Sequence, residues 1–307
     1  MAPSSKPAWK RSLANLAVRS VVRLVLVPVR RLPLRQVQRL GGLLGSVSYR
    51  WFAFRRRRIA DANLRAAFGA ELTDSERQRI VRACLINTAK MLLELFKLPQ
   101  LTPEAVKQLV KLSGGEHVRA AHAKGHGVIV LTGHFGNFEL GAARLRAEGY
   151  AVNVVARDAP DTPTAQLINA CRESHGTKVL AREEIRAALR CLQRGELLAL
   201  VADQHQAEGG IIVDFFGRPA ATATGPALFA ARTGAPVVPV FVVRESDDTF
   251  NMIVEAPVAL ADTGDREADM VENTQRLTKA LEAGIRRHPD QWFWMHRRWK
   301  AAETLNS

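Results

Sequence analysis

From residue 127 onward, apolar runs of strand length alternate with stretches of helical period. "GVIVLTG" is followed by "NFELGAARLRAEG", "AVNVVAR" by "PTAQLINACRESHG", and "KVL" by "REEIRAALRCLQRGE". Then come "LLALVAD", "GGIIVDFFG", "TGPALFAARTG", "PVVPVFVVR" and "FNMIVEAPV", and a long helical pattern, "ADMVENTQRLTKALEAGIRRHP". Strands covered on both faces read as continuous apolar runs, as these do, and not as alternation. The order of elements predicts an α/β fold with a largely parallel central sheet flanked by helices. Residues 61–112 have a helical period. Thr73 or Asp74 can cap "SERQRIVRACLINTAKMLLELFKL", and Pro99 and Pro103 end it. No internal repeat or low-complexity linker interrupts this body.

N-terminal to the body, apolar residues are punctuated by arginine. Arg11, Asn15, Arg19 and Arg23 recur every fourth residue and line one helical face, with leucines and valines filling the rest. Pro28 and Pro33 break the pattern; "LGGLLGSVSYRWFAF" and then Arg55–Arg58 follow. The uncharged run Leu40–Tyr49 is far short of the ~20 apolar residues a bilayer span needs. Interrupting arginines and the lack of a small-residue cleavage site argue against a signal peptide. The expectation is a basic amphipathic helical arm, residues 1–58, in the membrane interface, followed by an α/β domain with a helical N-terminal part, residues 59–307. Trp9, Tyr49 and Trp51 would sit at the water boundary.

Charge sharpens this division. Residues 1–65 hold 15 Lys+Arg and one acidic residue, Asp61, although the whole chain carries 44 Lys+Arg against 30 Asp+Glu. The excess of +14 therefore sits in the first fifth of the chain. Each basic residue at an anionic leaflet contributes about 1 kcal/mol, so such a cluster can hold a protein at a membrane surface. The dense apolar content speaks against a nucleic-acid tail, which phosphate binding alone would leave mostly polar. Three scattered cysteines, Cys84, Cys171 and Cys191, with no metal-ligand spacing, fit a reducing compartment without a disulfide framework.

The candidate chemistry lies in "VIVLTGHFGNFEL". The strand should end near Leu131 or Thr132 and the next helix start near Asn137. That puts His134 in the loop at a strand's carboxyl end, where open α/β sheets place their sites. Glu139 falls in the first helical turn. Gly133 and Gly136 allow a tight turn, so the Glu139 carboxylate can fold back to accept from the imidazole. The pair would then make a general base able to take a proton from an acceptor hydroxyl, while amides at the helix start steady an oxyanion. The plainer reading is a histidine that caps or packs and a glutamate that suits the helix dipole. Asp203 and Gln204 in "ADQH" end another strand, as site residues or as a turn. "DFFGR", Asp214–Arg218, reads as a hairpin or loop whose phenylalanines line an acyl groove or belong to the core. There is no G-x-S-x-G elbow, no Gly-Lys pair for a P-loop and no G-x-G-x-x-G after a strand. His122 and His126 lack a third ligand for a metal.

"TGHFGNFEL" resembles the HX4D/E motif of the lysophospholipid acyltransferase superfamily. With "RRRRIADANLRAAF", "ADQH", "VDFFGRPAATATGPALFAARTGAPVVPVF" and "PDQWFWMHRRWK" in order, residues 35–300 resemble the late acyltransferases of lipid A biosynthesis, the lauroyl and myristoyl transferases. The resemblance implies a glycerolphosphate acyltransferase-like fold. It implies transfer of a fatty acyl chain from an acyl carrier protein thioester to a hydroxyl of a lipid A precursor. The site would be the cytoplasmic face of the inner membrane, with no acyl-enzyme, cofactor or metal. His134 would be the base and Glu139 its orienting acid. Arg157, Asp203 and Gln204 would support the site, and Gly136, Asn137 and Arg218 are further candidates for substrate contact. Arg30, Arg31 and Arg55–Arg58 could dock the acidic carrier protein or an anionic lipid. Many relatives begin with one clean transmembrane helix, which this arginine-broken arm does not match. Acylation of another glycolipid or a lysophospholipid from acyl-coenzyme A, or a non-catalytic lipid-binding role, stays open.

Overall fold

The computed structural model describes residues 28–156 and 162–300. Its centre is a seven-stranded sheet. The strands are β1 (Val110–Ser113), β2 (Val128–Thr132), β3 (Val152–Ala156), β4 (Lys178–Ala181), β5 (Leu197–Val201), β8 (Val237–Arg244) and β9 (Phe250–Val254), in the order β1-β9-β8-β2-β5-β3-β4. Five of them, β8 to β4, run parallel; β9 pairs antiparallel with β8 and carries β1 parallel beside it. The sheet is thus mostly parallel, with a reversed edge. All five residues of β2 and all eight of β8 are buried, as their continuous apolar runs require. Alternate β2 side chains enter two apolar clusters, Ile129 and Leu131 in one, Val128 and Val130 in the other.

Helices cover the sheet: α1 (Leu34–Val47), α2 (Phe54–Phe68), α3 (Asp74–Leu95), α4 (Pro103–Leu109), α5 (Gly115–His122), α6 (Phe138–Ala147), α7 (Pro163–Glu173), α8 (Ile185–Gln193), α9 (Gly225–Thr233) and α10 (Arg266–Arg287). Thr73 and Glu76 close a capping box at the start of α3. Helix α1 lies tightly on α3 because Gly41 and Gly45 face it. A Cβ added at Gly45 would stand 2.6 Å from the Ile86 Cα.

The expected arm is described only in part. Its Trp9 and Arg11–Arg23 portion lies outside the described residues. The described remainder packs onto the body, and the expected division at residue 58 falls inside α2. That helix is fastened by the Asn63 amide, which donates to the carbonyls of Trp294 (2.7 Å) and His296 (2.6 Å). Leu43, Leu44 and Val47 of α1, and Trp51, Phe52 and Phe54 beyond it, stay exposed. Among the described residues, no helix is long and apolar enough to cross a membrane.

"DFFGR" is a hairpin joining β6 (Gly210–Phe215) and β7 (Arg218–Ala223). Its two turn residues, Phe216 and Gly217, both take positive φ, 55° and 73°, as the tight primed turns of hairpins require. Glycine bears this freely. Phe216 bears it because its ring is buried and its N–H donates to Glu282 (2.8 Å). Of the two sequence readings for these phenylalanines, core packing holds: Phe215 and Phe216 join Phe68, Trp292, Trp294 and Trp299 in one aromatic cluster. The three cysteines are buried and unpaired; burial pushes the Cys84 thiol up to about 12, which leaves it protonated and unreactive.

Candidate active site

Neighbouring parallel strands deliver their carboxyl ends side by side, and the site starts from that fact. Thr132 of β2 is in register with Val201 of β5, and the Ala202 N–H donates to the Thr132 carbonyl (3.0 Å). The next residues of each strand therefore meet: Gly133 and His134 beside Asp203. The buried Asp203 carboxylate accepts three donors: His134 Nδ1–H (2.8 Å), the His134 backbone N–H (2.7 Å) and Trp292 Nε1–H (2.7 Å). Gly133 permits the approach, since a Cβ there would sit 3.0 Å from the carboxyl carbon.

This arrangement sets the imidazole's chemistry. Asp203 holds the proton on Nδ1, so the lone pair is on Nε2. About a third of the His134 side chain (34%) remains accessible. Burial opposes the imidazolium. The charge and hydrogen bond of Asp203 outweigh burial, with Glu139 adding its field, and hold the His134 pKa above its usual value. Burial likewise opposes the Asp203 carboxylate, but His134 and the other donors keep its pKa below the usual range.

The Glu139 carboxylate does not fold back onto the imidazole, contrary to the sequence expectation. His134 Nδ1 is already taken by Asp203. Glu139 turns instead to Arg172 at the end of α7, which donates to both its oxygens (2.9 and 2.6 Å). Glu139 reaches His134 only through its field. Glu139→Gln should therefore slow transfer by about tenfold or less, equal to ~1.4 kcal/mol. It should also cost roughly 1.5–3 kcal/mol of stability from weakened hydrogen bonds to a charged group. Steady-state kinetics with thermal unfolding test this; a loss as deep as that of Asp203→Asn would return the orienting role to Glu139.

Two residues expected to touch substrate instead build the loop. Gly136 has φ 52°, and a Cβ there would lie 1.7 Å from the Val242 carbonyl oxygen. Its N–H donates to Gln291 O, and that of Asn137 to Val242 O, so neither amide is open to an oxyanion. Asn137 is fully buried. Its side-chain oxygen caps α6 at Leu140 N (3.3 Å) and its amide donates to Glu94 (2.8 Å). Glu94 is gripped in turn by the Arg244 guanidinium through two 2.7 Å bonds. The first-turn amides of Phe138 and Glu139 have no acceptor among the described residues. Gln204 is half-buried beside Asp203. Arg218 is exposed at the hairpin turn, and among the described residues no hydrogen bond or ion pair ties it to His134, Asp203 or Glu139. Arg157 lies outside the described residues.

Sequence reasoning missed Trp292, Arg172, Glu94 and Arg244. It also missed His296, whose Nε2 accepts from the His205 N–H (3.1 Å) and whose pKa burial pushes down to about 4, so the ring is neutral. The one signal was "PDQWFWMHRRWK", whose aromatic density marks an anchored segment without showing what it anchors. Among the described residues, no three His, Cys, Asp or Glu side chains gather as metal ligands. Beside His134, whose ring meets Phe138 edge-on at 5.3 Å, a narrow cavity opens between α6 and the sheet. It measures about 60 Å³ and is lined by Val130, Leu145, Val154, Val240 and Met252, with Phe138, Glu139 and Arg172 at one side.

A base beside a narrow apolar slot fits chemistry on a fatty chain. The family model described as bacterial lipid A biosynthesis acyltransferase matches residues 5–301. The chain belongs to this family. It is a lipid-modifying acyltransferase. The chain is 27% identical to the lipid A biosynthesis lauroyltransferase of Escherichia coli (strain K12), over 90% of this chain and 89% of that protein. It is 24% identical to the lipid A biosynthesis palmitoleoyltransferase of the same strain, over 85% and 84%. It is also 29% identical to the phosphatidylinositol mannoside acyltransferase of Mycobacterium tuberculosis (strain ATCC 25618 / H37Rv), over 68% and 66%.

Proposed function

We propose that this acyltransferase moves a fatty acyl chain from an acyl carrier protein thioester to a hydroxyl of a lipid A precursor, at the cytoplasmic face of the inner membrane. His134 Nε2 takes the acceptor's O–H proton as its oxygen attacks the thioester carbonyl. The tetrahedral oxyanion is met by the first-turn amides of Phe138 and Glu139. On collapse the carbon–sulfur bond breaks, and the imidazolium returns its proton to the departing thiolate. Asp203 holds the ring's tautomer and steadies the imidazolium, and no acyl-enzyme forms. The acyl chain lies in the cavity between α6 and the sheet. The observation that carries this reading is the accessible His134, oriented by a buried carboxylate and in ring contact with Phe138, which lines that slot. Attachment to the membrane would use the exposed Leu43, Leu44, Trp51, Phe52 and Phe54 with the arginines around them.

The similarity to a phosphatidylinositol mannoside acyltransferase favours one second reading, acylation of another glycolipid from acyl-coenzyme A. Transfer from radiolabelled acyl carrier protein thioester and from acyl-coenzyme A to a panel of lipid acceptors separates them. Product on the lipid A precursor from the carrier thioester supports the first. Product only on another glycolipid overturns it.

A further inference from the structure

A second concave surface is lined in part by the same C-terminal segment that anchors the site. Phe54, Arg55, Arg58, Ile59 and Ala62 of α2 form one wall of a groove of about 700 Å³, and Arg297, Trp299 and Lys300 form the other. Among the described residues, four cations line it and no acidic residue does. Among the described residues, Arg55, Arg58 and Arg297 form no ion pair. By contrast, Arg56 donates to Met295 O (3.2 Å), and Arg57 donates to Tyr49 O (3.0 Å) and lies over its ring.

The sequence places these charges where a helix tolerates them least. Arg55–Arg58 occupy the first turns of α2, whose N-terminus has no acidic residue and no side-chain cap. The dipole there favours anions, so each of these positive charges is misplaced. A bound anion offsets this. Phe54 joins the groove to the exposed Trp51 and Phe52, so the ligand that fits is anionic at one end and apolar at the other. The groove also adjoins the chemistry. Between Arg297 and the Asp203 donor Trp292 lies His296, and Asn63 on the groove wall holds the Trp294 and His296 carbonyls.

We propose that this groove between α2 and residues 297–300 binds the phosphate of a membrane lipid, through Arg55, Arg58 and Arg297. This deepens the reading of the protein as a lipid acyltransferase and rests on it. A guanidinium suits the task because its planar fork meets phosphate oxygens two at a time. The phosphate can belong to the acceptor substrate or to the surrounding leaflet; both present the same chemistry.

The test is calorimetric titration of the full chain with monomeric dihexanoyl phosphatidic acid, which removes the membrane and so the N-terminal basic segment's pull. Dihexanoylglycerol and inorganic phosphate serve as controls. Phosphatidic acid should bind, dihexanoylglycerol should not, and inorganic phosphate should bind more weakly. The double variant Arg58→Gln/Arg297→Gln, altered only at exposed side chains, should unfold at an unchanged temperature and lose at least about tenfold in affinity. No binding, or equal affinity in the variant, overturns the proposal. Equal affinity for inorganic phosphate overturns its lipid part. Loss of acyl carrier protein binding with phosphatidic acid affinity intact also overturns it and makes the groove a protein dock. In the transfer assay, a raised KM confined to phosphorylated acceptors assigns the phosphate to the substrate; an unchanged KM assigns it to the leaflet. If the wild type acylates no lipid yet binds phosphatidic acid, the donor and acceptor reading fails and the groove stands.

Discussion

Replacing His134 by alanine is expected to lower acyl transfer by roughly 10²–10⁴, the usual worth of a positioned general base. The fold should survive, because the ring is partly accessible and sits in a loop. Asp203 would nonetheless lose one of its three donors in a buried place, at a cost of about 1–3 kcal/mol. His134→Asn separates the two effects. Its side-chain amide can donate to Asp203 as Nδ1 does, yet it is no base. Both variants should be equally inactive, with the asparagine protein unfolding at the higher temperature. Turnover near wild type in either would remove His134 from the reaction.

Asp203→Asn should be nearly as costly, again on the order of 10²–10⁴ in rate, and it carries a second signature. The base works only when neutral, so kcat/KM rises with pH through the His134 pKa. In the wild type Asp203 holds that pKa above the imidazole norm, so the acidic limb lies above about pH 6.5. Removing the negative charge lowers the pKa, and the limb of the residual activity moves to lower pH. The asparagine amide can also donate to Nδ1, forcing the proton onto Nε2 where the lone pair is needed. A pH–rate profile with thermal unfolding is the measurement. An unshifted limb with a lost rate would mean that Asp203 only supports the fold.

Much of this site was legible along the chain, and its decisive partner was not. The apolar run ending near Thr132, the glycines at 133 and 136, and the helical pattern starting near Asn137 placed His134 correctly in the loop between β2 and α6. Spacing sees neighbours in sequence, so Glu139 was the visible acid. The acid that holds the ring is 69 residues away, brought there by the pairing of β2 with β5. "ADQH" stood at the end of a strand, but which strands are neighbours was unknown. Trp292 is 89 residues further from Asp203, and Glu94 meets Arg244 across 150. Contacts of that kind belong to the topology. The aromatic pair at Phe215 stayed open between groove and core for a different reason: an apolar side chain looks the same in sequence whether it faces a ligand or a core.

The central position of β2 also bears on how activity is acquired. The strand that launches His134 is flanked by β5 and β8, and the loop after it is clamped by the carbonyls of Val242 and Gln291. Such non-local pairings form late and slowly, because loop-closure entropy is lost before the contacts reward it. A refolding chain should recover its helical signal well before its turnover, and the appearance of product would time the closing of the sheet.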